Sequence, residues 1–288
     1  MRLLRLGAAG HEYPAVSIDD ASTQHAATFD LSTITADVDA DFLAADGIAR
    51  TRAALASNEL APINVSGTRI GAPIARPGKV VCIGLNYRDH AEEGGQAIPA
   101  EPVLFMKAPN TVVGPYDDVL IPRASTKTDW EIELGVVIAK TARYLESPAA
   151  AREVIAGYVI SHDVSEREFQ LERGGQWDKG KSCETFNPLG PWLVPIEDIT
   201  NPDSLRMRLW VNGEIRQDGS TSALIFGVDY VIWYLSQFMV LEPGDLINTG
   251  TPAGVALGMP DQPYLKPDDV VELEIDQLGR QRQVFVQA

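Results

Sequence analysis

Apolar and polar residues alternate along this chain in a way that predicts strands more often than helices. Met1–Leu6 and Ala15–Ile18 read as short strands broken by Gly and Pro, and Asp39–Ala56 carries Phe42, Leu43, Ile48 and Leu55 at helical spacing. Strand, strand and helix make a small α+β unit over residues 1–75. The segment Gly71–Gly78, with two prolines and two glycines in eight residues, marks a boundary. Over residues 76–288 the pattern is richer in strands. Lys79–Gly84 reads as a buried strand entering a tight turn, and Glu131–Lys140 and Gly157–Asp163 as two more. Leu205–Val211 runs into the hairpin signal Asn212-Gly213, and Val270–Ile275 and Gln281–Val286 flank Leu278-Gly279 as a second hairpin. One clear helix, Val228–Met239, presents Val228, Val231, Ile232, Leu235, Phe238 and Met239 on an apolar face. The fold class expected is mainly β with α (α+β).

Composition supports that picture, because 19 prolines and 24 glycines suit a turn-rich β architecture better than a βαβ sheet. The 24 Lys and Arg against 40 Asp and Glu leave a net charge of −16, which excludes a phosphate-neutralising nucleic-acid surface and a polybasic membrane anchor. No apolar run approaches the roughly 18 residues that span a bilayer. Cys82 and Cys183 are the only cysteines, with no CxxC, so a disulfide framework is excluded and a cytoplasmic setting is expected.

The candidate chemistry is carboxylate-rich. In Trp130-Glu131-Ile132-Glu133-Leu134 a strand would place Glu131 and Glu133 on one face and Ile132 and Leu134 on the other. The acids are then either the solvated face of an amphipathic strand or a site for a hard cation, since Mg²⁺ and Mn²⁺ prefer carboxylate oxygen. Asp163 ends an apolar strand, as an N-cap or as a third ligand that completes a site with open positions for water and substrate. His90 and Glu93 stand at i and i+3, either as an incidental surface pair or as an oriented base, and Gly94-Gly95 beyond them permit the segment to move. His162 alternates away from Asp163 and reads as structural, while His11 and His25 have no catalytic context. Gly175–Ser182 matches G-x-x-x-x-G-K-S literally. Without a preceding strand, and with Trp177 and Asp178 in the cradle, nucleotide hydrolysis is rejected. A lysine there would instead pair with an anionic substrate or a developing enolate. The Gly/Thr loop Thr249–Val255 is an ordinary connection or a carboxylate-holding loop.

Taken in order, GLNYRDHAEE, EPVLFMKAP, DWEIELGVV, SHDVSERE, KGKSCETFNPLGP, VNGEIRQDGST and EPGDLINTGTPAGV resemble the fumarylacetoacetate hydrolase superfamily from about Pro77 onward. The N-terminal domain and the DWEIELG, ERGGQWDKGKS and QLGRQRQ segments are similar to bacterial 2,4-diketo-3-deoxy-L-fuconate and L-rhamnonate hydrolases. The resemblance implies a mixed β-roll or barrel catalytic domain, a homodimer, and Mg²⁺ or Mn²⁺ on Glu131, Glu133 and Asp163. It further implies a His90–Glu93 pair on a lid, Lys181 as a catalytic lysine, and Arg167, Gln170, Lys107 and Thr251 at the substrate. The activity implied is hydrolysis of the C3–C4 bond of a 2,4-dioxo acid, such as a diketo-deoxy sugar acid, releasing pyruvate and a hydroxy acid. Oxaloacetate decarboxylation, 2-oxo acid isomerisation and non-catalytic metal-dependent binding are the alternatives.

Overall fold

The computed structural model describes residues 1–20, 25–93, 95 and 97–288. Two sheets dominate it, so the chain is mainly β with helices at the periphery. The central sheet has six strands in the order Val194–Pro195, Ile155–His162, Ile132–Ile138, Leu246–Asn248, Val80–Gly84 and Val103–Lys107. The second sheet has five, in the order Glu214–Ser220, Arg206–Val211, Val270–Ile275, Gly279–Gln287 and Val119–Ile121. Both strand orders are open.

Period-two alternation explains how the layers meet. Leu134, Val136, Ile138 and Ile160 point from the central sheet toward Met207, Leu209, Val271 and Leu273 of the second, in one continuous core. From the opposite face Val80, Cys82, Val137 and Val159 pack against Leu3, Val16, Phe42 and Leu43 of the N-terminal unit. That unit contains the strands Arg2–Leu6, Tyr13–Asp20 and His25–Asp30 in antiparallel order. Its hydrophobic cluster is thus shared with the central sheet.

Several details depart from the sequence pattern. Asp39–Ala56 is two helices, Ala40–Ala44 and Gly47–Ala56, separated by Asp46 in the left-handed region at φ 51. The chain turns there because Gly47 lies against the Phe42 ring so closely that a Cβ would clash with it. Asp39 caps the first helix, accepting from the Phe42 N–H at 2.9 Å. The helix predicted to reach Met239 ends at Ser236, and Phe238 is 63% exposed instead of facing the core. A turn through Gln237 carries the chain back to Leu241, which bridges Ala142 beside the central sheet. The strands His25–Asp30 and Val103–Lys107 carried no sequence signal strong enough to predict them. Both hairpins form as expected, with Asn212 and Gly213 at φ 51 and 80 in the first. No helix among the described residues is long and apolar enough to cross a membrane.

Candidate active site

The strand Ile132–Ile138 determines where the acids go. Ile132, Leu134, Val136 and Ile138 face the second sheet, so Glu133 and, at the strand's entry, Glu131 face the other way, on the side of Val137. Ser161 pairs with Glu133 across the ladder, and the Asp163 N–H donates to the Glu131 carbonyl at 3.0 Å. Asp163 therefore joins the same face just past the end of its own strand. Glu131, Glu133 and Asp163 are all buried and each offers an oxygen within 4.8 Å of the others. The solvated-face alternative for the doublet is overturned by that burial. His162, one residue before Asp163, faces the opposite way. Its Nδ1 lies 3.0 Å from Gln283 Oε1, and burial lowers its pKa to about 4.

Buried carboxylates demand compensation. Lys181 Nζ donates to Glu131 Oε2 at 2.8 Å and to Asp163 Oδ2 at 2.9 Å. Burial opposes the Lys181 charge, but Asp163 and Glu131 outweigh it and raise its pKa, so the lysine stays protonated. Lys107 pairs with the other Asp163 oxygen and donates to the Val164 carbonyl at 3.0 Å. Arg167 donates from Nε to Asp129 Oδ2 at 2.8 Å and from Nη1 to Gln170 Oε1 at 3.0 Å. Its Nη2 lies 2.8 Å from Glu131 Oε1 as an ion pair without hydrogen-bond alignment.

The two glutamates differ electrostatically. Burial would raise the Glu131 carboxyl, but Lys181 and Arg167 hold it well below the usual carboxylate range. Burial, then Asp163 and Glu131, push the Glu133 carboxyl well above that range, and the 2.7 Å hydrogen bond from the Gly250 N–H only partly opposes this. Three acids thus crowd one spot with less positive charge than they need. An all-oxygen set in such surroundings fits a hard divalent cation, with Glu131, Glu133 and Asp163 as its holders.

A cavity of about 420 Å³ opens onto this cluster, lined by His90, Glu93, Glu131, Glu133, Arg167, Gln170, Lys181 and Thr251 among others. His90 and Glu93 lie on the short helix Arg88–Glu93, with His90 Nδ1 3.6 Å from Glu93 Oε2. That nitrogen is buried without a hydrogen-bond partner, whereas both Glu93 oxygens accept from the Gly254 N–H at 3.1 Å. Asn86 anchors the helix from below. Its Nδ2 donates to Thr249 O at 2.8 Å and to Phe226 O at 3.0 Å. Gly94 of the glycine pair, and the side chain of His25, lie outside the described residues.

The loop Thr249–Val255 turns its groups to the protein itself. Gly250 and Gly254, at φ 103 and 106, spend their N–H groups on Glu133 and Glu93. Thr251 Oγ1 donates to Ile132 O and accepts from Gln217 Nε2, both at 2.8 Å. Lys107 does not line the cavity, being sealed behind Asp163. Lys179 points away and donates to Arg173 O at 2.6 Å. Lys181 is committed to carboxylates, and a Cβ on Gly180 would clash with the Glu166 carbonyl, so this GKS triplet serves packing and ion pairing.

Sequence reasoning missed Asp129. Fully buried, it accepts from the Ala256 N–H at 2.8 Å and the Leu257 N–H at 3.0 Å besides holding Arg167. The signal was present, because the same alternation that pairs Glu131 with Glu133 extends back to residue 129. Phe105 and Trp177, packed edge to face with centroids 5.4 Å apart, were missed too.

Residues 79–286 match the family model described as Fumarylacetoacetate (FAA) hydrolase C-terminal. The chain belongs to the fumarylacetoacetate hydrolase family. A Burkholderia multivorans protein, whose name places it among hydrolases without naming a substrate, is 46% identical over 285 residues, covering 99% of this chain and 98% of its own. Maleylpyruvate hydrolase from Sphingobium sp. SYK-6, solved with manganese(II) and pyruvate, superposes with a TM-score of 0.80 at 26% identity, covering 100% of both chains. A 2-hydroxyhepta-2,4-diene-1,7-dioate isomerase from Mycobacterium marinum gives 0.74 at 28% identity, covering 100% of this chain and 98% of its own. The solved structures similar to this chain therefore include both a hydrolase and an isomerase.

Proposed function

We propose that this family member is a divalent-metal-dependent hydrolase that cleaves the C3–C4 bond of a 2,4-dioxo acid, releasing pyruvate and a second carboxylic acid. The observation that carries this reading is His90. It lines the cavity that opens onto the acidic cluster, and its Nδ1 is buried, unbonded and 3.6 Å from Glu93. A base with an unused nitrogen beside a fixed carboxylate suits removal of a proton from water. A divalent ion on Glu131, Glu133 and Asp163 would supply Lewis-acid polarisation of the substrate's oxygen atoms.

The chain's own groups divide the rest. His90 takes a proton as water oxygen adds to C4, and Glu93, steadied by the Gly254 N–H, offsets the imidazolium charge. As the C3–C4 bond breaks, its electron pair moves into the 2-oxo group. The protonated Lys181 places positive charge beside the resulting enolate oxygen. Protonation at C3 then gives pyruvate. Gln170, with its oxygen taken by Arg167, keeps its NH₂ group for a substrate oxygen. In this reading residues 76–288 carry the chemistry, and residues 1–75 brace the central sheet.

Oxaloacetate decarboxylation would need neither water nor base and would leave His90 and Glu93 without a task. The test is a panel of acylpyruvates, oxaloacetate and a dienedioate, assayed with Mg²⁺, with Mn²⁺ and with chelator. Pyruvate without CO₂ from acylpyruvates, abolished by chelator, is the expected result. Pyruvate with CO₂ from oxaloacetate alone, isomerisation of the dienedioate alone, or no turnover would each sink the proposal.

A further inference from the structure

We infer that the cavity is built for a 2,4-dioxo acid with a single carboxylate, whose C4 substituent is an uncharged, unhydroxylated alkyl or aryl group. The inference rests on the hydrolase reading above and adds to it the class of the substrate's distal half.

Charge is the first argument. Among the acidic and permanently basic residues that line the cavity, Glu93, Glu131 and Glu133 face Arg167 and Lys181, which leaves one negative charge in excess. One divalent ion turns that excess into a single positive charge, which the substrate's own 2-oxo carboxylate neutralises. A second carboxylate would then be buried without compensation.

No cation among the described lining residues is free to receive it. Arg167 is already ion-paired with Asp129 and Glu131, although its Nη2 makes no aligned hydrogen bond, and Lys181 is shared between Glu131 and Asp163. His90 stands beside Glu93, which adds negative charge to the same wall.

The remaining lining is apolar. Ile83, Leu85, Leu171, Trp177, Val255 and Leu257 supply it, together with Phe105 in edge-to-face contact with Trp177. Hydroxyl groups on the substrate's distal half would find few partners along this apolar wall, because Thr251 is already bonded as donor and as acceptor and the unbonded His90 Nδ1 and Gln170 NH₂ serve the dioxo acid half. An unpaired buried hydroxyl is costly, whereas each buried CH₂ is worth about a 3–4-fold gain in affinity. A diketo-deoxy sugar acid, with its hydroxylated tail, therefore suits this cavity less well than a simple acylpyruvate.

Two measurements test the inference. The first is kcat/KM across acetylpyruvate, longer straight-chain acylpyruvates and benzoylpyruvate, against succinylpyruvate and a polyhydroxylated analogue, all with Mg²⁺. The second is calorimetric binding of two unreactive probes, 2-oxohexanoate and 2-oxoadipate, which differ at the distal carboxylate. The expected result is a rise of about 3–4-fold per added CH₂ until the cavity is filled. The dicarboxylates and the polyhydroxylated compound should be at least about 10-fold poorer, and 2-oxohexanoate should bind more tightly than 2-oxoadipate. Leu171 is 43% exposed, so Leu171→Arg adds a cation with little effect on packing and should shift the preference toward the dicarboxylate. Tighter binding of 2-oxoadipate by the wild type, a preference for hydroxylated substrates, or indifference to chain length would overturn the inference. If no acylpyruvate is hydrolysed, the proposed reaction falls, and the two probes still decide the preference of the cavity.

Discussion

Lys181 Nζ lies 2.8 Å from Glu131 Oε2, and the same ammonium bridges to Asp163 at 2.9 Å. One side chain thus ties the entry of one central strand to the exit of its neighbour. It also places a permanent positive charge at the mouth of the acidic cluster. Lys181→Met should reduce kcat for pyruvate release about 10²–10³-fold, the scale seen when an oxyanion-stabilising donor is removed. Steady-state kinetics on an acylpyruvate check it, and a variant with unchanged kcat would remove Lys181 from the chemistry.

Glu133→Gln keeps an acceptor for the Gly250 N–H while removing a charge that Asp163 and Glu131 repel. Metal-free, the variant should melt at or above the metal-free wild type. Saturating Mg²⁺ or Mn²⁺ at about 100 times Kd should stabilise the wild type by about 2.7 kcal/mol and the variant far less. Differential scanning calorimetry with and without metal measures both. An equal metal response in the two proteins would exclude Glu133 as a ligand.

Asp129→Ala removes the partner of the buried Arg167 guanidinium and the acceptor of the Ala256 and Leu257 N–H groups. Breaking a buried ion pair from one side costs about 3–5 kcal/mol. Urea unfolding should register that loss, and Asp129→Asn, which keeps an acceptor, should recover a part of it.

Gly258 packs against Glu93 with no room for a methyl group, since a Cβ there would clash with the carboxylate. Gly258→Ala should displace Glu93 from the Gly254 N–H and from His90. A misplacement of that size costs about 10–100-fold in kcat. Little change in Tm is expected, because the displaced side chain lies on a partly exposed helix.

Asp198 joins the N-terminal unit to the rest of the chain, accepting from Arg52 at 2.7 Å with the Met1 ammonium 3.2 Å away. Burial raises its pKa, but the hydrogen bond from Arg52 and the ammonium outweigh burial, so the net direction is down. A carboxylate with a depressed folded pKa contributes stability above its unfolded value, near 3.9, and loses it as pH falls through the folded value. The partial exposure keeps this below about 1 kcal/mol. Asp198→Asn should therefore lower Tm slightly at pH 7 and flatten its decline below about pH 4.

Much of the site was legible before any coordinates. Period-two alternation places Glu131 and Glu133 on one face because a strand has no other way to dispose its side chains, and Ile132 and Leu134 are buried as that alternation requires. Asp163 was legible for the same reason, at the end of an apolar run. What alternation does not reveal is which face is buried. Both faces of the strand Ile132–Ile138 are covered, one by the second sheet and the other by the N-terminal unit and Lys181.

Local sequence thus determined the strands with clear alternation, the hairpin turns and the grouping of acids on one side of a strand, since these follow from backbone geometry within a few residues. Partnership was decided only by the tertiary structure. Lys181 reaches Glu131 across 50 residues, Gly250 reaches Glu133 across 117, and Gly254 reaches Glu93 across 161. Contacts so distant in sequence depend on which strands lie side by side in the sheet, and no local pattern encodes that order. The distal wall of the cavity, with Trp177 beside Phe105 and Leu171 at 43% exposure, was unreadable for the same reason. An apolar residue in sequence does not declare whether it fills a core or lines a space left open for a substrate.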